Sequence, residues 1–280
     1  MESPGRKQRH WLRTGWRPIR WLLAAYLIIV LIAMFLEESL IFFPFNCDDD
    51  DWNPSGIDIE DVRFQAADGT RLHGWYVPHE EPLATVLFCH GNAGNLSHRI
   101  ETLRRLHDDV GVSVMIFDYR GYGQSEGKPN EPGVLADARA ARHWLAQREK
   151  IDEKEIVMMG RSLGAAVACD LAVADGARGL ILESAFTSIP DVAAHYYPWL
   201  PVRLIMRTRL DSRSKIGDYH GPLLQSHGKP DSIIPFKFGH RLFEAANEPK
   251  QFIAFPDCDH NDPHPEEYFG RLRQFFERLD

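Results

Sequence analysis

Residues 21–36 read WLLAAYLIIVLIAMFL, an apolar run without a charged residue. As a helix it spans about 24 Å, a little short of the roughly 30 Å hydrocarbon layer of a bilayer. Its flanks extend it. Arg20 can snorkel, and Trp11, Trp16 and Trp21 suit an interfacial belt. Glu37 and Glu38 close the far side before LIFFP resumes. Residues 46–54, NCDDDDWNP, are acidic and turn-rich, and the pattern divides there.

Beyond that turn, short apolar runs alternate with amphipathic stretches. Residues 62–66 and 71–77 flank Asp68-Gly69, a hairpin signal. Residues 85–89, 112–117 and 156–159 are short apolar runs, as strands buried on both faces are, and 180–182, 223–226 and 252–255 complete the strands. Residues 96–108, 133–149, 163–173, 231–246 and 266–279 carry helical spacing. Such alternation predicts an α/β fold: a mostly parallel sheet flanked by helices, with an antiparallel start. The chain divides into a basic tail (1–18), a transmembrane anchor (19–43), an acidic linker (44–56) and one α/β domain (57–280).

Composition is ordinary for a globular chain of 280 residues, with 44% hydrophobic and 26% charged positions. The net charge of −8 argues against nucleic acid as a partner. The charge is uneven: Arg6, Lys7, Arg9, Arg13, Arg17 and Arg20 face only Glu2 in the first twenty positions. Beside an apolar run, that bias predicts a single-pass anchor with a cytoplasmic N-terminus and an extracytoplasmic domain. A cleaved signal peptide is the rival reading, but Ala33-Met34-Phe35-Leu36-Glu37 is a poor cleavage site. A buried or interfacial helix is a third. Cys89 and Cys169 fall in apolar patterns and read as buried thiols; Cys47 and Cys258 fall in loops, and no bridge is expected.

Ligands of open α/β sheets bind beyond the carboxyl ends of the strands. The run 85–89 is followed by His90-Gly91-Asn92-Ala93-Gly94, and 156–159 by Gly160-Arg161-Ser162-Leu163-Gly164. After 223–226 comes His227-Gly228-Lys229-Pro230-Asp231, and after 252–255 comes Pro256-Asp257-Cys258-Asp259-His260. G-x-S-x-G alone is a weak signal, but strand, G-x-S-x-G, helix is the context of a nucleophile elbow. A serine hydroxyl needs a base, and the base an orienting acid. Ser162 is therefore the expected nucleophile, His260 the base and Asp231 the acid. The backbone N–H groups of Asn92 and Leu163 are the expected oxyanion hole. Glu183 is the rival acid and His264 the rival base. The acidic and histidine cluster at 257–264 matches no metal spacing, and the glycine-rich loop lacks both the P-loop and dinucleotide endings, so neither metal nor cofactor is expected.

FLEESLIFFP, FCHGNAGN, FDYRGYGQSEG, GRSLGAA, ESAFTS, HGKPDSIIPF and DCDHND together resemble the α/β-hydrolase superfamily, most closely its membrane-anchored, Bem46-like branch. The resemblance implies an α/β-hydrolase fold over 57–280. It also implies a serine hydrolase with Ser162, Asp231 and His260 as triad. Its esterase, thioesterase and serine aminopeptidase members make carboxyl ester or thioester cleavage the first expectation and amide cleavage the runner-up. A catalytically idle scaffold at the membrane is the alternative of another class. Where relatives often carry glycines before the histidine, this chain has Asp257-Cys258-Asp259, and carboxylates close to the ring would raise its pKa. Asp118-Tyr119-Arg120-Gly121-Tyr122-Gly123 reads as structural. Residues 185–218 are where a short cap belongs. Two short helices packed on the domain fit it. So do an acyl pocket lined by Tyr196, Tyr197, Trp199, Leu204, Ile205 and Met206, and a membrane contact supported by Arg203, Arg207, Arg209 and Arg213.

Overall fold

A computed structural model describes residues 5–45 and 51–279, with side chains from residue 18 onward. Cys47, the run 48–50 and the side chains of Trp11, Trp16 and the basic tail lie outside the described residues. Helix α1 (Gly5–Phe35) carries the apolar run, and its stretch Pro18–Phe35 is long and apolar enough to cross a membrane. A bend at Leu36 leads into α2 (Glu37–Ile41) and the two-residue strand β1 (Phe43–Pro44).

The domain begins with the hairpin β2 (Glu60–Gln65) and β3 (Arg71–Val77), antiparallel about Gly69 at φ 87°. Then come β4 (Thr85–Cys89), β5 (Ala93–Gly94), α3 (Ile100–Arg104) and β6 (Ser113–Phe117). Next are α4 (Glu131–Glu149), β7 (Val157–Arg161), α5 (Leu163–Asp175) and β8 (Gly179–Glu183). The short helices α6 (Ile189–Tyr196) and α7 (Val202–Ile205) fall in the segment 185–218, where the cap is expected. The chain closes with β9 (Leu223–Gly228), α8 (Phe236–Ala245), β10 (Lys250–Phe255) and α9 (Glu266–Phe276).

Eight strands form one sheet in the order β10-β9-β8-β7-β4-β6-β3-β2. From β10 to β6 the neighbours are parallel, while β3 and β2 pair antiparallel. The period of two along a strand sorts its side chains between two cores. In β4, Leu87 and Cys89 join the layer of Ala138 and Ala168 from α4 and α5. Val86 and Phe88 join the layer of Leu272 and Phe276 from α9.

Three expectations change. Residues 96–108 form one helical stretch of mixed winding: a 3-10 turn (Leu96–Arg99), then α3, then a π-turn (Arg105–Val110) ended by Gly111 at φ 82°. Helix α8 starts at Phe236 rather than Asp231. The Asp231 carboxylate takes the amides of Ile233 and Ile234, at 3.0 and 2.7 Å, and holds a turn that Pro235 then ends. The boundary drawn at 43/44 cuts through β1, whose two residues pair with Ala93 and Gly94. Phe42, 2% exposed, belongs to the domain core, and Glu37 Oε1 accepts the amides of Arg207 and Thr208 at 2.8 and 2.6 Å. The end of the expected anchor is thus built into the domain.

Helix α5 meets the sheet through two glycines. A Cβ at Gly160 would lie 2.1 Å from Gly164 O, and one at Gly164 would lie 1.9 Å from Cys89 O. Both obstacles are backbone, which cannot rotate away. Gly164→Ala is therefore expected to cost about 3 kcal/mol or more, read as a fall in the urea midpoint at unchanged m-value.

Candidate active site

Ser162 sits between β7 and α5 at φ 53°, ψ −114°. A residue with a Cβ is held there only when its surroundings dictate it. Here the Ser162 amide donates to Glu183 O at 2.9 Å, and the paired glycines let α5 start within one residue of the strand. Its side chain makes no helix-capping hydrogen bond. Ser162 and Leu163 line a cavity of about 660 Å³ together with Gly91, Asn92 and His260.

Asp231 and His260, 29 residues apart, are joined by a 2.8 Å bond between Oδ2 and Nδ1. Burial pushes the Asp231 carboxyl up. Hydrogen bonds from His227 and His260, and from the Ile234 amide, outweigh it and hold the group well below the usual carboxylate range. An ionised carboxylate only accepts, so Nδ1 of His260 carries the proton and Nε2 is left as the acceptor. No hydrogen bond joins His260 to Ser162 among the described residues, although both line the one cavity. Such bonds tighten when substrate is bound. His227, not singled out in the sequence, is a second imidazole on Asp231: its Nε2 lies 3.3 Å from Oδ2 and 2.8 Å from Ile234 O. Its position in the HGKPD loop, four residues before the acid, was the available signal.

The rival residues are occupied elsewhere. Glu183 accepts the Tyr268 hydroxyl at 2.5 Å. His264 stacks on Tyr268 with centroids 4.3 Å apart, and burial lowers its pKa. Asp259 accepts the amide and hydroxyl of Ser232 and the backbone amide of His260, and Asp262 accepts the Asp259 amide. The acyl-pocket reading of the cap also changes. The apolar wall of the cavity comes from Ile41, Phe43, Phe186, Ile189, Ile233 and Ile234, while Tyr196, Tyr197, Trp199 and Leu204 are exposed. The segment 118–123 is structural: Asp118 accepts the Leu96 amide, and Tyr119 donates to His90 O.

Asn92 has a second part that its sequence did not announce. Its carboxamide Nδ2 donates to Ile41 O at 2.6 Å, and its Oδ1 accepts the Phe43 amide at 3.1 Å and the Tyr122 hydroxyl at 2.7 Å. The segment after α1 therefore grips the loop and supplies two cavity walls. A chain begun at Asn46 is expected to lose kcat/KM on an apolar ester by about tenfold or more against one begun at Leu36, through lost apolar wall and loosened loop. Steady-state assays of the two fragments, each shown folded by circular dichroism, check this.

The chain is similar to several known proteins. The family model described as "Serine aminopeptidase, S33" matches residues 80–216, a stretch that contains Asn92, Ser162 and Leu163 and ends before Asp231. An uncharacterised protein of Mycobacterium tuberculosis is 45% identical over 205 residues, covering 72% of this chain and 73% of that one. The protein bem46 of Schizosaccharomyces pombe is 32% identical over 220 residues, covering 74% and 72%. Among solved structures, the Pyrococcus furiosus esterase Pf2001 superposes with a TM-score of 0.69 over 85% of this chain and 99% of that one. At 21% identity this likeness concerns the fold. With relatives that include the α/β hydrolase domain-containing protein WAV2 of Arabidopsis thaliana, 35% identical over 223 residues and covering 72% of each chain, the chain belongs to the α/β-hydrolase family.

Proposed function

We propose that the chain is a membrane-tethered serine hydrolase that cleaves carboxyl esters or thioesters through an acyl-enzyme. The observation that carries this reading is His260, bonded to Asp231, lining one cavity with a serine held at φ 53°. Ser162 Oγ attacks the acyl carbonyl as its proton passes to His260 Nε2. Asp231 keeps the ring oriented and stabilises the imidazolium. The amides of Leu163 and Asn92 hold the oxyanion. The proton returns to the leaving oxygen or sulfur as the C–O or C–S bond breaks. Water then attacks the acyl-serine, giving its proton to His260, and the freed acid departs as Ser162 regains a proton.

The lining of the cavity favours esters over the aminopeptidase alternative. An aminopeptidase needs an anion for the substrate's α-ammonium. The described lining holds Arg99 and Arg161 and no carboxylate, so an ammonium there meets repulsion. Six apolar residues suit an acyl chain instead. In this reading α1 is a single-pass anchor, with the basic tail in the cytoplasm and the domain on the extracytoplasmic side. A reporter fused to the C-terminus tests that side.

Ser162→Ala is expected to abolish both turnover and labelling by a fluorophosphonate probe, with the melting temperature within a few degrees of the parent. Esterase activity surviving in that variant ends the reading. Asp231→Asn is expected to lower kcat by about 10⁴. It also leaves His227 facing an uncharged partner, so stability is measured beside the rate.

A further inference from the structure

The cap presents an apolar face that the domain does not cover. Tyr196, Tyr197, Trp199 and Leu204 are all exposed, Leu204 at 86%. Soluble domains seldom cluster such residues without a partner. Two contacts register this face against α1. Tyr26, inside the candidate span, donates its hydroxyl to Trp199 O at 3.0 Å. At the other end, Arg207 donates to Met34 O at 3.2 Å, and Glu37 accepts the amides of Arg207 and Thr208. The cap segment thus runs beside the last turns of the helix.

The register decides the depth. Tyr26 precedes Phe35, the end of the span, by nine residues, about 13 Å of helix. Half of the hydrocarbon layer is about 15 Å. If α1 crosses the bilayer, Trp199 lies well below the headgroups. The contacts at Met34 and Glu37 lie at headgroup level, and there the exposed Arg207 and Arg209 meet phosphate. Arg203, ion-paired with Asp191 at 3.0 Å, enters the layer partly neutralised. The face also reaches the cavity: the Tyr196 hydroxyl donates to Ser232 O and Ile233 O at 2.7 and 3.0 Å, and Ile233 lines the cavity.

We propose that the cap face formed by Tyr196, Tyr197, Trp199 and Leu204 is a bilayer-contact surface that enters the apolar layer beside α1 and opens the cavity rim at Ile233 to lipid. The acyl chain of the substrate then enters from the membrane rather than from water. The proposal rests on the tethered-hydrolase reading above, and its test separates the two.

The full chain, with Cys47 and Cys258 replaced by serine, is reconstituted in phosphatidylcholine–phosphatidylglycerol vesicles. An environment-sensitive fluorophore is placed at Leu204→Cys, at Leu22→Cys within α1, or at Glu81→Cys, which precedes β4 at the opposite end of the sheet. Quenching by acyl-chain spin-labelled lipid is expected at 204 and 22 and absent at 81. Quenching at 22 but not at 204 overturns the proposal and leaves the tether standing. Quenching at neither removes the tether and the proposal together. None of these readouts needs turnover. In a second arm, Leu204→Glu is expected to slow hydrolysis of a vesicle-resident long-chain ester about tenfold, as a charge replaces an apolar anchor, with a short soluble ester unaffected. Trp199→Glu is expected to do the same. Equal rates on the vesicle ester for parent and both variants overturn the proposal.

Discussion

A serine held at φ 53° is the constraint on which the candidate site depends. Such a backbone costs about 1–3 kcal/mol and relaxes unless its neighbours hold it. Those neighbours are β7, paired on both sides by β4 and β8, and α5, which approaches so closely that neither Gly160 nor Gly164 has room for a methyl group. The strain is held by backbone against backbone in the middle of the sheet. The hydroxyl is thereby pushed clear of the helix it precedes and into the cavity.

The other groups sit on loops at the same edge, each held by its own hydrogen bonds. Asp231 spends one oxygen on the amides that shape its turn and the other on His260 and His227. Arg161, the residue before the serine, donates to the carbonyls of His260 and Asp262, so the elbow itself steadies the histidine loop. Asp259 ties the histidine loop to Ser232 through its carboxylate.

The segment between α1 and the domain is a cavity wall as well as a connection. Glu37, Phe42, Phe43 and the backbone of Ile41 are spent on the cap, the core and the Asn92 loop.

By itself the sequence determined the eight strands of the main sheet, the elbow and the order serine, aspartate, histidine. These are local properties: apolar runs a few residues long, glycines at fixed offsets, and the rule that strand ends face the site. Asp68-Gly69 likewise marked its hairpin because a two-strand turn is chemistry of neighbours. The tertiary structure alone decided what distant residues do to one another. Asn92 meets Ile41 and Phe43 across about fifty positions, Tyr26 meets Trp199 across 173, and His227 reaches Asp231 only because the loop after β9 folds back. It also decided that α8 waits until Phe236, since Asp231 captured the amides that would have begun it. An apolar residue in the cap pattern reads the same whether it faces the core, the cavity or the outside. Only the packed chain sets that direction, because burial belongs to neighbours that a local period does not contain.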